Sequence, residues 1–166
     1  VASVALSGQP HMHAGFGLPM DDFLKLSTPN YYLNAQDGES EEEFSARLGA
    51  EFEQTVLEAG PDTIAAFFAE PMQSGGGAIR PPTGYWEAMQ AVIRKYDIHF
   101  HVDETVCGFG RTGHYWGAQA FDLTPDSTTC AKALTAAFFP MSAIMFRQEF
   151  FDDLMQTSDA AGVLGH

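Results

Sequence analysis

Positive charge is scarce in this sequence. Eight lysines and arginines stand against 22 aspartates and glutamates, a formal charge of -14. Such a chain repels phosphate backbones and anionic headgroups, which argues against nucleic acid and membrane surfaces as partners. Cysteine is equally sparse: Cys107 and Cys130 are the only two, and neither belongs to a C-x-x-C pair. No disulfide framework or zinc knuckle is indicated, and a reducing cytoplasm is the expected location. No stretch approaches the ~20 apolar residues that a membrane span needs. The start Val1-Ala2-Ser3-Val4-Ala5-Leu6 has no positive segment before it to read as a signal peptide. An initiator Met is also missing, which fits a start in the middle of a longer protein.

What remains is sufficient for a core. Of 166 residues, 45% are hydrophobic and 13% aromatic, which excludes a disordered chain. The segment from Ser7 to Asp37, rich in Gly, Pro, His and Tyr, has no steady period and reads as a long connection. Ser40 and Glu43 form a capping-box pattern that opens a helix, with Phe44, Leu48, Phe52 and Val56 as its apolar stripe and Gly60-Pro61 as its stop. Ile64 to Ala69 is a continuous apolar run, expected to be a strand buried on both faces and ending in Glu70-Pro71.

The loop Gly75-Gly76-Gly77 leads to a second helix from Thr83 to Tyr96, and Ile98 to Val102 is a second strand with Asp103 at its carboxyl end. Tyr115 to Phe121 reads as a short helix, Asp126 to Ala131 as a strand delivering Lys132, Ser142 to Phe146 as a further strand and Gln148 to Met155 as a helix. The alternation predicts an α/β fold, a mainly parallel sheet with helices on both faces. Ligands of such sheets sit beyond the carboxyl ends of the strands, where Glu70, Asp103 and Lys132 all fall.

Lysines occur only at positions 25, 95 and 132, and Lys132 alone lies among small and apolar residues. A desolvated lysine has a lowered pKa and becomes an amine nucleophile. A surface lysine at a strand end accounts for the same window equally well. Asp103 would stay ionised near a cationic ring nitrogen, and would otherwise be a turn cap. A lysine that forms a Schiff base with an aldehyde, paired with an aspartate on a pyridine nitrogen, is the chemistry of pyridoxal phosphate.

Gly108, Gly110 and Gly113 allow tight turns. Arg111 is either a buried structural cation paired with a carboxylate, the preferred reading, or a ligand for a phosphate or carboxyl group, and Cys107 and Cys130 read as small core residues. The rival pattern is His99-Phe100-His101-Val102-Asp103, whose three polar residues share one strand face as zinc ligands do in some metallohydrolases. Glu104 follows where the usual H-x-H-x-D-H has histidine, and two hydrogen-bonded histidines in a sheet is the simpler reading. His11 and His13 read as loop residues, so no metal site is expected.

Taken in order, Glu70-Pro71-Met72-Gln73, Pro82-x-Gly84-Tyr85-Trp86, Asp103-Glu104 with Gly108-Phe109-Gly110-Arg111-Thr112-Gly113, Pro125-Asp126 and Ala131-Lys132 resemble the class III aminotransferases. These omega-transaminases are pyridoxal phosphate enzymes of fold type I, and the resemblance runs along the whole chain, including Gly38 to Phe44. It implies that Lys132 forms the internal aldimine with pyridoxal 5'-phosphate and then shuttles the proton between substrate and cofactor carbons. It implies that Asp103 holds the pyridine nitrogen, that Thr105 packs on the ring, and that Glu70 lies nearby, where some members pair the matching acid with a mobile arginine. The reaction would move an amino group from an amine or omega-amino acid to a keto acid. Cys107 after Val106, and Tyr115-Trp116-Gly117, look most like the branch that uses pyruvate; branches that use 2-oxoglutarate often have Gln in place of Val106.

The chain also departs from the family pattern. Thr105 replaces the usual Val or Ile, Ala133 the common Gly, and His99 and His101 stand where apolar residues are usual. Each histidine must find a partner or cost about 1 to 3 kcal/mol. In the family, the loop that binds the cofactor phosphate precedes the equivalent of Val1, a threonine from the partner subunit follows the equivalent of Gly165-His166, and the smaller domain is separate. Residues 1–166 are therefore expected to be a central part of the cofactor-binding large domain, inactive alone, from a protein that is a homodimer when complete. The Ser7 to Asp37 loop, with Tyr31 and Tyr32, would contribute to that dimer contact. Alternatives are a decarboxylase or aminomutase on the same scaffold, a metallohydrolase using His99, His101 and Asp103, or a non-catalytic remnant.

Overall fold

Ser40 and Glu43 set the start of the longest helix through reciprocal bonds. Ser40 Oγ accepts from the Glu43 amide at 3.1 Å and the Glu43 carboxylate accepts from the Ser40 amide at 2.9 Å, satisfying two donors that a helix start leaves free. The computed structural model describes residues 2–18 and 20–161; Val1 and Gly165-His166, the reference points for the family's phosphate-binding segments, lie outside the described residues. In chain order, α1 (Ala2–Ala5) precedes the long connection, which among the described residues carries a 3-10 turn (Pro10–Met12) and α2 (Tyr31–Asn34). Then come α3 (Glu41–Ala59), β1 (Ala66–Ala69), α4 (Tyr85–Lys95), β2 (His99–Asp103) and α5 (Gly117–Ala120). The chain continues with β3 (Ser127–Cys130), a 3-10 turn (Lys132–Leu134), β4 (Ala143–Phe146) and α6 (Gln148–Ala161).

The apolar stripe of α3 is buried at Phe44, Leu48, Phe52 and Val56, and burying each such side chain contributes about 1.5–3 kcal/mol. It meets Tyr85, Trp86, Met89, Val92 and Ile93 of α4, together with Ile98 just before β2 and Phe100 and Val102 within it. Gly49 sets how closely the helices approach. A Cβ there would lie 2.9 Å from Ala88 Cβ, so any side chain would push α3 and α4 apart.

The strands lie in the order β1-β2-β3-β4, the first three parallel and β4 antiparallel to β3. The mainly parallel sheet expected from the alternation is present. Phe67 and Phe100 point to α3 and α4, whereas Phe68, His99, His101, Ser127 and Thr129 share the opposite face, which α6 touches where Phe150 lies 4.6 Å from His99. Here β1 departs from expectation. It is an edge strand, since the sheet order leaves it no second neighbour among the described residues, and it is only half-buried: Phe67 packs against the core, whereas Phe68, on the face away from α3 and α4, is 45% exposed.

Candidate active site

Parallel strands place their carboxyl ends on one edge, and three of the residues singled out by sequence stand there. Asp103 ends β2 and is paired in register with Thr129 of β3, three residues before Lys132. Glu70 follows β1 directly. Asp103 is partly buried, and its Oδ1 accepts from the Thr105 amide at 2.8 Å, which fixes the carboxylate and draws the half-buried Thr105 in beside it. Its Oδ2 accepts no hydrogen bond from the described residues, so one lone-pair face is open to a cationic N–H.

Lys132 is not desolvated. It is exposed, it opens the 3-10 turn, and its amine has no hydrogen-bond or ion-pair partner among the described residues. Its backbone is strained: φ is +40, after an Ala131 at φ -157 and ψ -145. Left-handed φ is uncommon outside glycine, and residues held there gather at functional sites. Ala136 and Ala137 repeat the feature at φ +50 and +65. The apolar neighbours seen in sequence fail to cover the lysine because Cys130 is buried in the strand before it, while the turn carries Lys132 and Ala133 to the surface.

Glu104 was missed by sequence reasoning. It is only 1% exposed, and its two carboxylate oxygens accept from the amides of Gly117 at 2.9 Å and Ala118 at 2.6 Å, the first residues of α5. Burial pushes its carboxyl above the usual range, while the two amide bonds pull the other way. Its own amide donates to Thr129 O at 2.8 Å, so Glu104 also joins β2 to β3 beside Asp103. A Cβ at Gly117 would come 2.9 Å from Glu104 Oε2 and 2.6 Å from Cys107 Cβ, and glycine is what lets the carboxylate reach. The only sequence signal was a second acid after the strand end, thirteen residues before a Gly-Ala pair.

The motifs spread along the chain converge here. The Trp86 indole donates to Pro71 O at 3.1 Å, and Cys107 Sγ reaches Met72 O at 3.5 Å and Ser74 Oγ at 3.6 Å. Cys107 is fully buried, and burial pushes its thiol up, as befits a core residue; Cys130 is buried as well. The Glu70 carboxylate closes its own turn by accepting from the Ser74 amide at 3.0 Å. Arg111 contradicts its expectation. It is exposed and makes no ion pair among the described residues, because left-handed turns at Phe109, Gly110 and Gly113 carry that loop outward.

The histidines of β2 are paired with hydroxyls. His99 Nε2 and His101 Nδ1 each lie 2.7 Å from Ser127 Oγ, and His101 Nε2 lies 2.9 Å from Thr129 Oγ1. Among the described residues, no group of three His, Cys, Asp or Glu side chains is placed to hold a metal ion.

Residues 1–165 match the family model described as aminotransferase class-III. Over 164 residues the chain is 42% identical to gamma aminobutyrate transaminase 3, chloroplastic, of Solanum lycopersicum, covering 99% of this chain and 32% of that protein. It is 41% identical over 168 residues to diaminobutyrate--2-oxoglutarate transaminase of Halomonas elongata, covering 36% of it. The crystal structure of the omega transaminase from Pseudomonas jessenii in complex with PMP superposes with a TM-score of 0.96 at 46% identity, covering 100% of this chain and 37% of that one. The chain thus spans about a third of the length of these relatives. With a mainly parallel sheet, a carboxylate and an amine at its carboxyl edge, and a family match from end to end, this chain belongs to the class III aminotransferases.

Proposed function

We propose that the complete protein is a pyridoxal phosphate-dependent transaminase, and that this chain forms the central part of its cofactor-binding domain. The observation that carries the reading is the register of β2 on β3. It sets an unshared carboxylate oxygen of Asp103 and the free amine of Lys132 at the ends of adjoining strands. That donor set fits the cofactor: an anion for a protonated ring nitrogen, and a primary amine for an aldehyde. When bound, pyridoxal phosphate acts as an electron sink for the substrate carbon.

The chain's residues then have defined tasks. Lys132 would hold the cofactor through its aldehyde group and would supply at Nζ an amine that accepts and returns a proton. Asp103 keeps the ring nitrogen protonated, held in place by the Thr105 amide. Thr105 offers its methyl group to the ring, and Glu70 stands at the neighbouring strand end toward the substrate. The substrates are an amine or omega-amino acid as donor and a keto acid as acceptor, which we assign to pyruvate on the Val106-Cys107 and Tyr115-Trp116-Gly117 pattern. The working form is a homodimer in a reducing cytoplasm, where Cys107 and Cys130 stay free thiols.

The test is the visible spectrum of the full-length protein with and without an amine donor. A cofactor band that shifts on adding amine and disappears in Lys132→Ala is the expected result. Bound zinc without such a band would sink the reading. The 166-residue chain alone is expected to show no turnover with alanine or an omega-amine.

A further inference from the structure

The reaction assigned above makes no use of the histidines on β2, yet His101 is built into the strands that carry it. Its ring is 5% exposed and lies 4.6 Å from the Phe68 ring of β1. Both nitrogens are engaged by β3, Nδ1 with Ser127 Oγ and Nε2 with Thr129 Oγ1, and Ser127 is shared with His99. The row His99, Ser127, His101 and Thr129 thus stitches β2 to β3 just before Asp103 and Lys132.

Asp103 lies two residues beyond His101 on the same face, opposite Thr129. The titratable groups that act on His101 are Asp103 and His99, both of β2; β1 and β3 present Phe68, Ser127 and Thr129 to it. Burial draws the ring below the ordinary imidazole range, with Asp103 opposing and His99 reinforcing. A neutral ring donates at one nitrogen and accepts at the other, which the two hydroxyls satisfy.

We propose that His101 is a positioning residue for the Asp103 and Lys132 pair: as a neutral imidazole it fixes the strand ending in Asp103 against the strand that delivers Lys132, and when protonated it competes for the Asp103 carboxylate. This rests on the reading of those two residues as the cofactor's seat. The ring nitrogen of the cofactor and an imidazolium at position 101 would share one anion. By linkage, cofactor binding opposes protonation of His101, and acid weakens cofactor retention.

The experiment has an arm without cofactor and an arm with it. In cofactor-free, histidine-labelled full-length protein, His101 is titrated by NMR, its signal assigned by His101→Gln. Removing the nearby negative charge in Asp103→Asn should move its midpoint downward. In the second arm, pyridoxal phosphate affinity is measured between about pH 5 and pH 8, the range where imidazoles titrate. Wild type should lose affinity on the acid side, whereas His101→Gln, which can donate and accept without titrating, should keep its neutral affinity and lose the acid limb. His101→Leu gives up both hydroxyl contacts and should bind at least about tenfold more weakly at neutral pH.

An unmoved His101 midpoint in Asp103→Asn, or an unchanged acid limb in His101→Gln, overturns the proposal. If the Leu variant does not fold, these two arms still decide. Failure of the cofactor reading is seen separately, as a protein whose spectrum is indifferent to Lys132→Ala, and the cofactor-free titration stands apart from it.

Discussion

One face of the sheet meets α3 and α4 through Phe67, Phe100 and Val102 and excludes water; the other carries Phe68, His99, His101, Ser127 and Thr129 and is touched by Phe150 of α6. On the first face, apolar area removed from water provides the stability. On the second, polar side chains bond to one another across two strands, and Asp103 stands at the edge. The difference teaches that this fold separates the residues that hold it together from those we assign to chemistry, though they alternate along the same five-residue strand.

Substitutions on either side of that division should differ in size. Phe100→Ala, on the sealed face beside Phe67 and Trp86, should lower stability by about 3–5 kcal/mol in a denaturant melt. A loss below about 1 kcal/mol would mean that the α3 and α4 side is not the core. At the boundary, Glu104→Ala removes the acceptor of two backbone donors, each worth about 1–3 kcal/mol when left unpaired. Faster hydrogen exchange at the Gly117 and Ala118 amides should accompany it, with Glu104→Gln intermediate because one oxygen remains. On the open face, Phe68→Ala should change stability by about 1 kcal/mol or less, since the ring is already half in water.

The smallest effect lies away from both faces. Arg47 beside Glu39 holds that carboxyl down from 4.5 to about 2. The folded value is depressed, so the pair's contribution is present above 4.5 and is lost as pH falls toward 2. Glu39→Gln should lose the pair's small contribution near neutrality, flatten the stability profile in that window and converge on wild type in acid, as acid melts would record.

Local physics made much of this legible in advance. The capping box, the four-residue stripe of α3 and its glycine stop depend only on neighbours in sequence, and all are present. The same holds for Asp103, whose position follows from where an apolar strand ends, and for the histidine pair, for which hydrogen bonding within the sheet was the simpler reading, although Ser127 and Thr129 as its partners were not foreseen. What failed depended on closure in space. Nothing in residues 64–69 distinguishes an edge strand from a central one, and nothing in Ala143–Phe146 gives its antiparallel direction. The exposure of Lys132 and Arg111 follows from left-handed turns at residues that are not all glycine, and Glu104 owes its role to amides thirteen and fourteen positions away.

That last contact has a consequence for how such a chain can diversify. Because the Glu104 carboxylate holds the first amides of α5, the excursion between them is a loop tied off at its base. Its outer residues, Arg111, Gly113, His114 and Tyr115, are exposed. Changes out there are insulated from the strand end that positions Asp103. The sequence at the tip of this loop can therefore vary while its base, and the strand end beneath it, stay as they are.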